Sequence, residues 1–574
     1  MTSATLQMMD LTTLRAVLSD LRPSLLPGRF EKAQQPDPLT VQLGFRTLQG
    51  MVWIELSWQA DAPRLVQIRP PARLGSGSTL AQQLQHSLRQ MALVGIEQGG
   101  FERVVDFQFS ARPGESIQRS LVLELMGRHS NVMLLDDQRR VVTIGRQVRD
   151  HQSRIRPIGT GDAYVPPPPL QGLPPHSEES LDGWRRRLTL VPVSLKTALQ
   201  QCYQGISPPL VEQLAGSLGS EPVQEISTEQ WQQLHQCWTS WLRCLTDNAF
   251  ALQFEPNNRY RVWGQPDDQQ PLNHQPVVQQ PVDQTNLALA LGAWYRERLE
   301  QRSLVQRRKD VEQQLKRWSR KEQAALDDQQ LRLASTGDST TLQEKADALL
   351  CMPAPDRDQV QEAQKLYQRA RKLRRSVAVL KERIQHHEER LRLIEGSEVF
   401  IEDLASSHWE ELPPRLLALE DLCRELDDLL NPGRRRQDAR KKQAAVPQPL
   451  ELTGPGGLLL QVGRNHRQND WISVRQARSG DLWFHAQECP GSHVVLKASS
   501  GLPEEADLQL ASDLAAHFSR ARGNRRVPVV MVPTDRLQRI PGAAPGTVRH
   551  RGGTVRWGEP GRAEERLSAR KLLA

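Results

Sequence analysis

The sequence predicts a multidomain α+β protein. Its parts are a mixed N-terminal domain, a helix-hairpin-helix, a long antiparallel coiled-coil arm and a compact α+β C-terminal domain. Three observations predict this. The chain has 574 residues, and at about 150 residues per domain that makes roughly three or four domains. Strand-like alternation of apolar and polar residues appears towards both ends. Between them, apolar residues recur in steps of four and three, the heptad pattern of a coiled coil. Hydrophobic residues make up only 38% of the chain, which suits a long solvated helical segment better than one large core.

Residues 1–172 form the first expected domain. "MTSATLQMMDLTTLRAVLSDL" has no basic start and no unbroken apolar run, so it is expected to be an amphipathic helix and not a signal peptide. "RLVQIRP", "RVVDFQF", "LVLELM" and "NVMLLD" read as short strands. "RVVDFQF" is introduced by the turn signal Gly99-Gly100 and by two opposite charges, Glu102 and Arg103. In "ELMGRHSN", Arg128, His129 and Asn131 lie on a strand-turn-strand, with Gly127 allowing close backbone approach. The domain ends in "YVPPPP", which reads as a rigid linker.

A helical domain is expected over 173–250. Within it "LKTALQQCYQGISPPLVEQLAGSLG" reads as helix, glycine turn, helix. A helix-hairpin-helix, whose backbone N–H groups can hold a phosphate, and an ordinary helix pair fit equally well. Residues 251–287 then form a segment returning to the body. The arm spans 288–430. Leu366, Ala370, Leu373, Val377, Leu380, Ile384 and Leu391 give one seam, and Leu304, Val311, Leu315 and Trp318 an earlier one. "ASTGDSTT" and "MPAPD" break the helix between them, so the seams can pair within one chain. The basic run "NPGRRRQDARKK" opens a linker at 431–449, which is either a disordered tether or a patch touching a nucleic-acid backbone. Residues 450–574 alternate strand-like runs with the helix "EEADLQLASDLAAHFSRARG".

A net charge of +8 favours a polyanionic partner, nucleic acid before membrane. No stretch approaches the roughly 20 apolar residues of a membrane span. The six cysteines include no CxxC pair, which argues against a zinc site and fits a reducing cytoplasm. His485 and His493 flank the turn Pro490-Gly491, but no third ligand of the right type lies close, so a metal is not expected. With Trp483 they offer planar faces suited to an unstacked base. Cys489 lacks an evident base. There is no credible catalytic triad, phosphate loop or metal cluster, so no enzymatic activity and no cofactor are expected.

"DLWFHAQECPGSHVVLKA" at 481–498 resembles the signature of the C-terminal domain of the NFACT proteins, the ribosome quality-control elongation factors often labelled fibronectin-binding-like. "LVLELMGRHSNVMLLD" at 121–136 and "RIRPIGTGDAYVPPPP" at 154–169 resemble signatures of the same family's N-terminal domain. The domain order also matches over nearly the whole chain. The resemblance implies a tRNA-holding role for an acid-arginine pair at the start of the strand, here Glu102 and Arg103, where the family usually has aspartate. It extends tRNA contact to Arg128, His129 and Asn131, and RNA contact to Trp483, His485, His493 and Lys497. It further implies a cytoplasmic factor that binds 50S subunits carrying peptidyl-tRNA and recruits alanyl-tRNA. The nascent chain would gain a non-templated alanine tail for degradation, with a small RNA-binding tailing partner similar to RqcP. The chain departs from the family in its arm, where the usual longer insertion is cut to "STGDSTTLQEKADALLCMPAPD". The segment before "LAQQLQHSLRQ" also lacks the family's phenylalanine and arginine-lysine pattern.

Two rivals are set against this reading. A DNA-glycosylase-like enzyme would share the helix-hairpin-helix, but needs an N-terminal proline and usually a zinc finger. This sequence begins "MTSATLQ" and its cysteines are unpaired in spacing. A surface fibronectin-binding adhesin would need a signal peptide, a wall anchor or repeats, none of which is legible.

Overall fold

The computed structural model describes residues 6–573 apart from 75–77, 150, 152, 154–155, 257, 265–285, 335–338, 354–355, 405–411, 431–446 and 541–544. The basic run after the arm and most of the 251–287 segment therefore lie outside the described residues. The chain divides into two compact units, Met1–Leu299 and Glu300–Ala574.

The first unit opens with α1 (Leu11–Leu25), capped where the Asp10 side chain accepts from the Thr13 N–H. Its apolar face, with Leu14, Val17, Leu18 and Leu21 fully buried, packs into the main core. There follow β1 (Gly28–Asp37), β2 (Thr40–Thr47), β3 (Gly50–Ser57), β4 (Arg64–Ile68), α2 (Thr79–Ser87), β5 (Ala92–Glu97), β6 (Val104–Ser110), β7 (Arg119–Glu124), β8 (Asn131–Leu135) and β9 (Val141–Ile144). Among the described residues they make one nine-stranded sheet, ordered β4-β3-β2-β1-β5-β6-β7-β8-β9. Every neighbouring pair is antiparallel. In β6, Val105, Phe107 and Phe109 are buried and alternate with Val104, Asp106 and Gln108, which are less so, as the period-two pattern requires.

The helical part consists of α3 (Leu181–Leu188), α4 (Leu195–Cys202), α5 (Pro208–Ala215) and α6 (Thr228–Asp247). It is built around aromatic rings: Trp184, Trp231, Trp238, Trp241 and Tyr203 are each at most 2% exposed. Gly205, at φ 77°, makes the turn between α4 and α5. A Cβ there would lie 2.8 Å from Leu11 Cδ2 and 3.1 Å from the Phe101 ring, so only glycine fits. The Ser207 hydroxyl, which caps α5, donates to Asp10 at 2.8 Å. The hairpin tip is thus a joint onto α1 and Phe101, which favours the ordinary helix pair of the two readings the sequence left open. The hairpin β10 (Gln253–Glu255) and β11 (Arg259–Arg261) places Tyr260 in the core, where its hydroxyl meets that of Tyr295 at 2.7 Å.

The second unit begins inside α7 (Leu287–Ala334), followed by α8 (Ser339–Leu350), α9 (Arg357–Leu404) and α10 (Leu412–Leu430). The heptad seams are the covered edges: Ala370 and Leu380 are buried, and Leu366, Leu373, Val377, Ile384 and Leu391 are half-buried. On α7, Glu322 contacts His387 and Arg390 of α9, and further along Arg332 lies beside Leu380 and Arg383. The partner number falls as the α7 number rises, so the helices run antiparallel. Asp347 of α8 accepts from Tyr367 of α9, so α8 continues the same outgoing side. The chain direction therefore reverses between α8 and α9, with α7 and α8 on the same side of the arm. The shortened insertion is therefore mostly helix. Glu322, 5% exposed, occupies the seam itself and accepts from His387 at 2.7 Å, with Arg390 at 2.9 Å. A buried polar group at a seam position fixes register.

The C-terminal domain contains β12 (Leu450–Thr453), β13 (Leu459–Gly463), α11 (His466–Asp470), β14 (Leu482–Ala486), β15 (His493–Leu496), α12 (Glu505–His517), β16 (Val527–Pro533), β17 (Leu537–Arg539), β18 (Val548–His550), β19 (Thr554–Gly558) and α13 (Pro560–Leu573). Six strands form an antiparallel sheet ordered β12-β13-β15-β14-β16-β19. One face, with Phe484, Val494 and Val529, packs on Leu510, Leu514 and Ala515 of α12. The other carries Trp483, Val495, Val530 and Val532 beneath Ile472.

Candidate nucleic-acid interface

The strand registers bring the N-terminal candidates together. Val104 opposes Glu124, and Glu124 opposes Asn131. The start of β6, the end of β7 and the start of β8 therefore share one end of the sheet. Arg103 precedes this row, Arg128 and His129 form the turn between β7 and β8, and the Arg103 carbonyl accepts from the Leu125 N–H at 2.9 Å. Arg128 and His129 are exposed, and the Arg128 Nε donates to His129 Nε2 at 3.0 Å.

Arg103 is half-buried, with its Nη1 3.4 Å from the Met9 carbonyl. Burial holds its guanidinium below the ordinary arginine range, while the charges of Asp10 and Glu102 act the other way. An arginine so placed keeps its charge but has lost much of its hydration, which strengthens a contact to an incoming anion. The turn before it is built from several sides. Gly100 has φ 53°, and Arg15 donates to its carbonyl at 2.6 Å while lying 5.1 Å over the Phe101 ring. The Glu102 carboxylate accepts from the Leu170 N–H at 2.9 Å. Glu102 thus ties down the "YVPPPP" segment instead of reaching outward.

Asn131 also points inward. It is 3% exposed, its Nδ2 donates to the Arg146 carbonyl at 2.8 Å, and its Oδ1 accepts from the N–H groups of Arg146 and Val132 at 3.0 Å each. It clamps the 127–131 turn to the end of β9, and its polar atoms are already used. No polar atom of Asn131 is left for the direct contact expected of it, and it positions its neighbours instead, since Arg146 also donates to the Arg128 carbonyl at 2.7 Å.

Glu124 was not singled out from sequence, yet it anchors this end. It is 1% exposed and grips Arg156 through two bonds of 2.8 and 2.6 Å. Tyr164 adds a third at 3.0 Å, and Arg156 also donates to the Val165 carbonyl at 2.8 Å. Burial would lower the Arg156 pKa, but the Glu124 hydrogen bonds and charge raise it. Burial and then the Glu124 charge push the Tyr164 phenol up. The proline segment expected as a rigid linker is therefore pinned at its first residue. The available signal was the charge pattern: one acid inside an apolar strand, and Arg156 with Tyr164 eight residues on in the second motif.

The C-terminal candidates are placed differently from their sequence reading. Trp483 is 2% and His493 5% exposed, so neither offers an open face to a base. The Trp483 ring stacks on His485 at 5.5 Å and 7°, and meets His493 edge-on at 5.0 Å. His493 shares a 2.8 Å hydrogen bond with the Ser473 hydroxyl and takes the Asn469 side chain on its own N–H at 3.0 Å. Burial drives His485 down to about 4 and His493 well below 6.5, so both are neutral at physiological pH. Lys497 donates to Asp481 at 3.2 Å and to the Gln476 carbonyl at 3.1 Å. Asp481 is fully buried, and burial alone would raise its carboxyl. Ser499, the Arg478 N–H and Lys497 outweigh that and hold it low. The signature is thus a structural knot, in which Trp483 and His493 are buried and His485 and Lys497 half-buried. Among the described residues, no cluster of three or more histidine, cysteine or acidic side chains could hold a metal, and none of the six cysteines forms a disulfide.

Residues 10–355 match the NFACT N-terminal and middle domains, and residues 452–552 match the NFACT protein RNA binding domain. The chain is 24% identical to the Rqc2 homolog RqcH of Streptococcus pneumoniae serotype 2, over 94% of this chain and 95% of that one. It is 25% identical to the Rqc2 homolog RqcH of Bacillus subtilis strain 168, over 79% and 80%. Among solved structures, the C-terminal part of the fibronectin/fibrinogen-binding protein from Streptococcus suis aligns over 46% of this chain and 98% of that one, at 25% identity and a TM-score of 0.39. With a family match covering more than half of its length, the chain belongs to the NFACT family.

Proposed function

We propose that this protein is a ribosome quality-control elongation factor. It binds a 50S subunit left with a stalled peptidyl-tRNA, recruits alanyl-tRNA and directs non-templated alanine tailing of the nascent chain. The observation that carries this reading is the shared sheet end, where Arg103, Arg128 and His129 stand on three adjoining strand ends of an NFACT chain. Arginine suits the task because its planar fork grips a phosphate bidentately or stacks on a base. Glu102, Asn131 and the Glu124–Arg156 pair hold those groups in position.

In this reading the protein is not an enzyme. Peptide bonds form in the ribosome's own centre, and the factor positions tRNA. Several weak RNA contacts spread over both units add through effective concentration. Family membership and the RNA-binding domain match support RNA as the partner. A small tailing partner similar to RqcP belongs to the same proposal, as does a cytoplasmic location. The test is sedimentation of tagged protein from cells. It should travel with free large subunits, carry tRNA and dissociate steeply with added salt. Mass spectrometry of the released chains should find alanine tails. Co-migration with polysomes, or association indifferent to salt, would overturn the reading.

A further inference from the structure

The buried Trp483 knot leaves one part of its sheet face open. In the β16–β19 register, Val530 opposes Val555 and Pro528 opposes Trp557. Directly opposed residues share a face, so Val555 and Trp557 lie on the side of Val530, His485 and Trp483. The other side is settled independently: Arg556, between them, pairs with Glu505 of α12. Trp471, Ile472, Leu537 and Val548 cover the face around Trp483. They do not cover β19, where Val555 is 49% and Trp557 57% exposed. Val555 and Trp557 stand side by side on one face of the edge strand, so the apolar and aromatic strip there is open to solvent.

The rim is positive. β18 runs through Gly552 and Gly553 into β19, so Arg549 and Arg551 stand at one end of the open strip. Both are exposed, as is His550, whose ring lies 5.9 Å from Trp483. Neither arginine makes an ion pair among the described residues. At the Trp557 end the nearest acid along the chain, Glu559, is already paired with Arg526 and Arg562. A flat apolar and aromatic strip with free guanidinium groups beside it fits an unstacked base followed by its phosphates. Bases inside a duplex could not reach the indole.

We propose that Trp557 and Val555, with Pro528 and His485 beside them, form a stacking platform for single-stranded RNA, its phosphates held by Arg549 and Arg551. Trp557 lies beyond residues 452–552, the part that matches the family's RNA-binding domain. The inference rests on the RNA-binding reading of the C-terminal domain and adds to it a place and a preference for unpaired bases. The neutral His485 imidazole suits such a face, since it needs no counter-ion.

The full-length protein and its variants are titrated against a fluorescein-labelled 12-nucleotide RNA and against a duplex of the same sequence, with anisotropy as the readout. Trp557→Ala should weaken single-strand binding about 5- to 100-fold and leave duplex binding unchanged. Trp557→Phe should stay within about threefold of the parent, and Trp557→Leu should be as weak as alanine. Replacing Arg549 and Arg551 together by alanine should lower the salt slope by about 1.4. Melting temperatures should match the parent, because the side chains are exposed. Parent-like binding by Trp557→Ala overturns the platform. So does an equal loss with duplex, or rescue by leucine, which would mark an ordinary apolar contact such as an added peptide strand. If the parent itself binds neither RNA, the RNA-binding reading of this domain falls as well. If the parent binds and Trp557→Ala matches it, only the platform falls.

Discussion

Arg156→Ala tests whether the pinned segment is what shapes the end of the sheet that carries Arg103 and Arg128. The substitution removes both bonds to Glu124, whose side chain is 1% exposed. The carboxylate is left with the Tyr164 hydroxyl alone. Breaking a buried pair from one side costs about 3–5 kcal/mol, mostly because an uncompensated charge stays buried. At about 2 °C per kcal/mol for a unit of this size, the first unit should melt roughly 6–10 °C lower. Arg156→Lys keeps the charge and loses the fork, so it should fall between alanine and the parent. Adding Glu124→Leu to Arg156→Ala removes the stranded charge and should recover at least about 2 kcal/mol, or about 4 °C. Scanning fluorimetry follows the transition, and hydrogen exchange at 156–170 shows whether the segment is released. A melting temperature within 2 °C of the parent for Arg156→Ala, or a double variant worse than the single one, would refute the reasoning.

Three further outcomes are expected. Burial raises Glu425 from 4.5 to about 8, although the Arg467 N–H donates to it at 3.0 Å. The folded state thus holds a proton that the unfolded state releases between about pH 4.5 and 8, so stability falls as pH rises through that window. Hydrogen exchange at 412–430 and 464–470 should quicken from pH 6 to pH 9 beyond its intrinsic increase, and Glu425→Gln should abolish the difference; a flat parent profile would contradict this. Replacing Glu322, His387 and Arg390 together by leucine should raise the thermal stability of the arm while loosening its register, seen as mixed products when cysteines are placed across α7 and α9; a single product would argue against the Glu322 group as the register device. Because each seam is covered within one chain, Val311 and Leu315 by Ile394, Phe400 and Leu422 and the Leu380 stretch by the far half of α7, light scattering should find a monomer, and a dimer that dissociates when Val311 and Leu315 become asparagine would refute that covering.

Much of this was legible in the sequence because periodicity is local. The seam from Leu366 to Leu391 and the alternation in β6 report which side of an element is covered, and the structure covers those sides. The two N-terminal stretches holding Arg103 and Arg128 could be found as motifs. That they share one sheet end follows from strand order, which no single segment encodes. Residue type could not tell a pointing side chain from a clamping one. Asn131 and Lys497 look like polar contacts in sequence, and both spend their hydrogen bonds on their own turns. Trp483 looked like an open ring because its motif is rich in polar residues, but Ile472 and Val532, distant in sequence, close over it. Trp557 passed unnoticed for the opposite reason: a lone tryptophan in a strand reads as core until the edge of the sheet is known.

The most direct test of the central claim is tRNA recovered per large subunit in pull-downs of the parent and of a variant with Glu102 and Arg103 both replaced by alanine. Arg103 loses the guanidinium that faces the sheet end, and Glu102 loses its hold on the Leu170 N–H. The account predicts normal large-subunit binding through the rest of the chain, tRNA recovery cut at least tenfold and no alanine tails. Arg103→Lys should be nearly as impaired, and Glu102→Gln, which keeps an acceptor for Leu170, close to the parent. Parent-level tRNA from the double variant would return the pair to an ordinary solvated turn and contradict the assignment of the tRNA site.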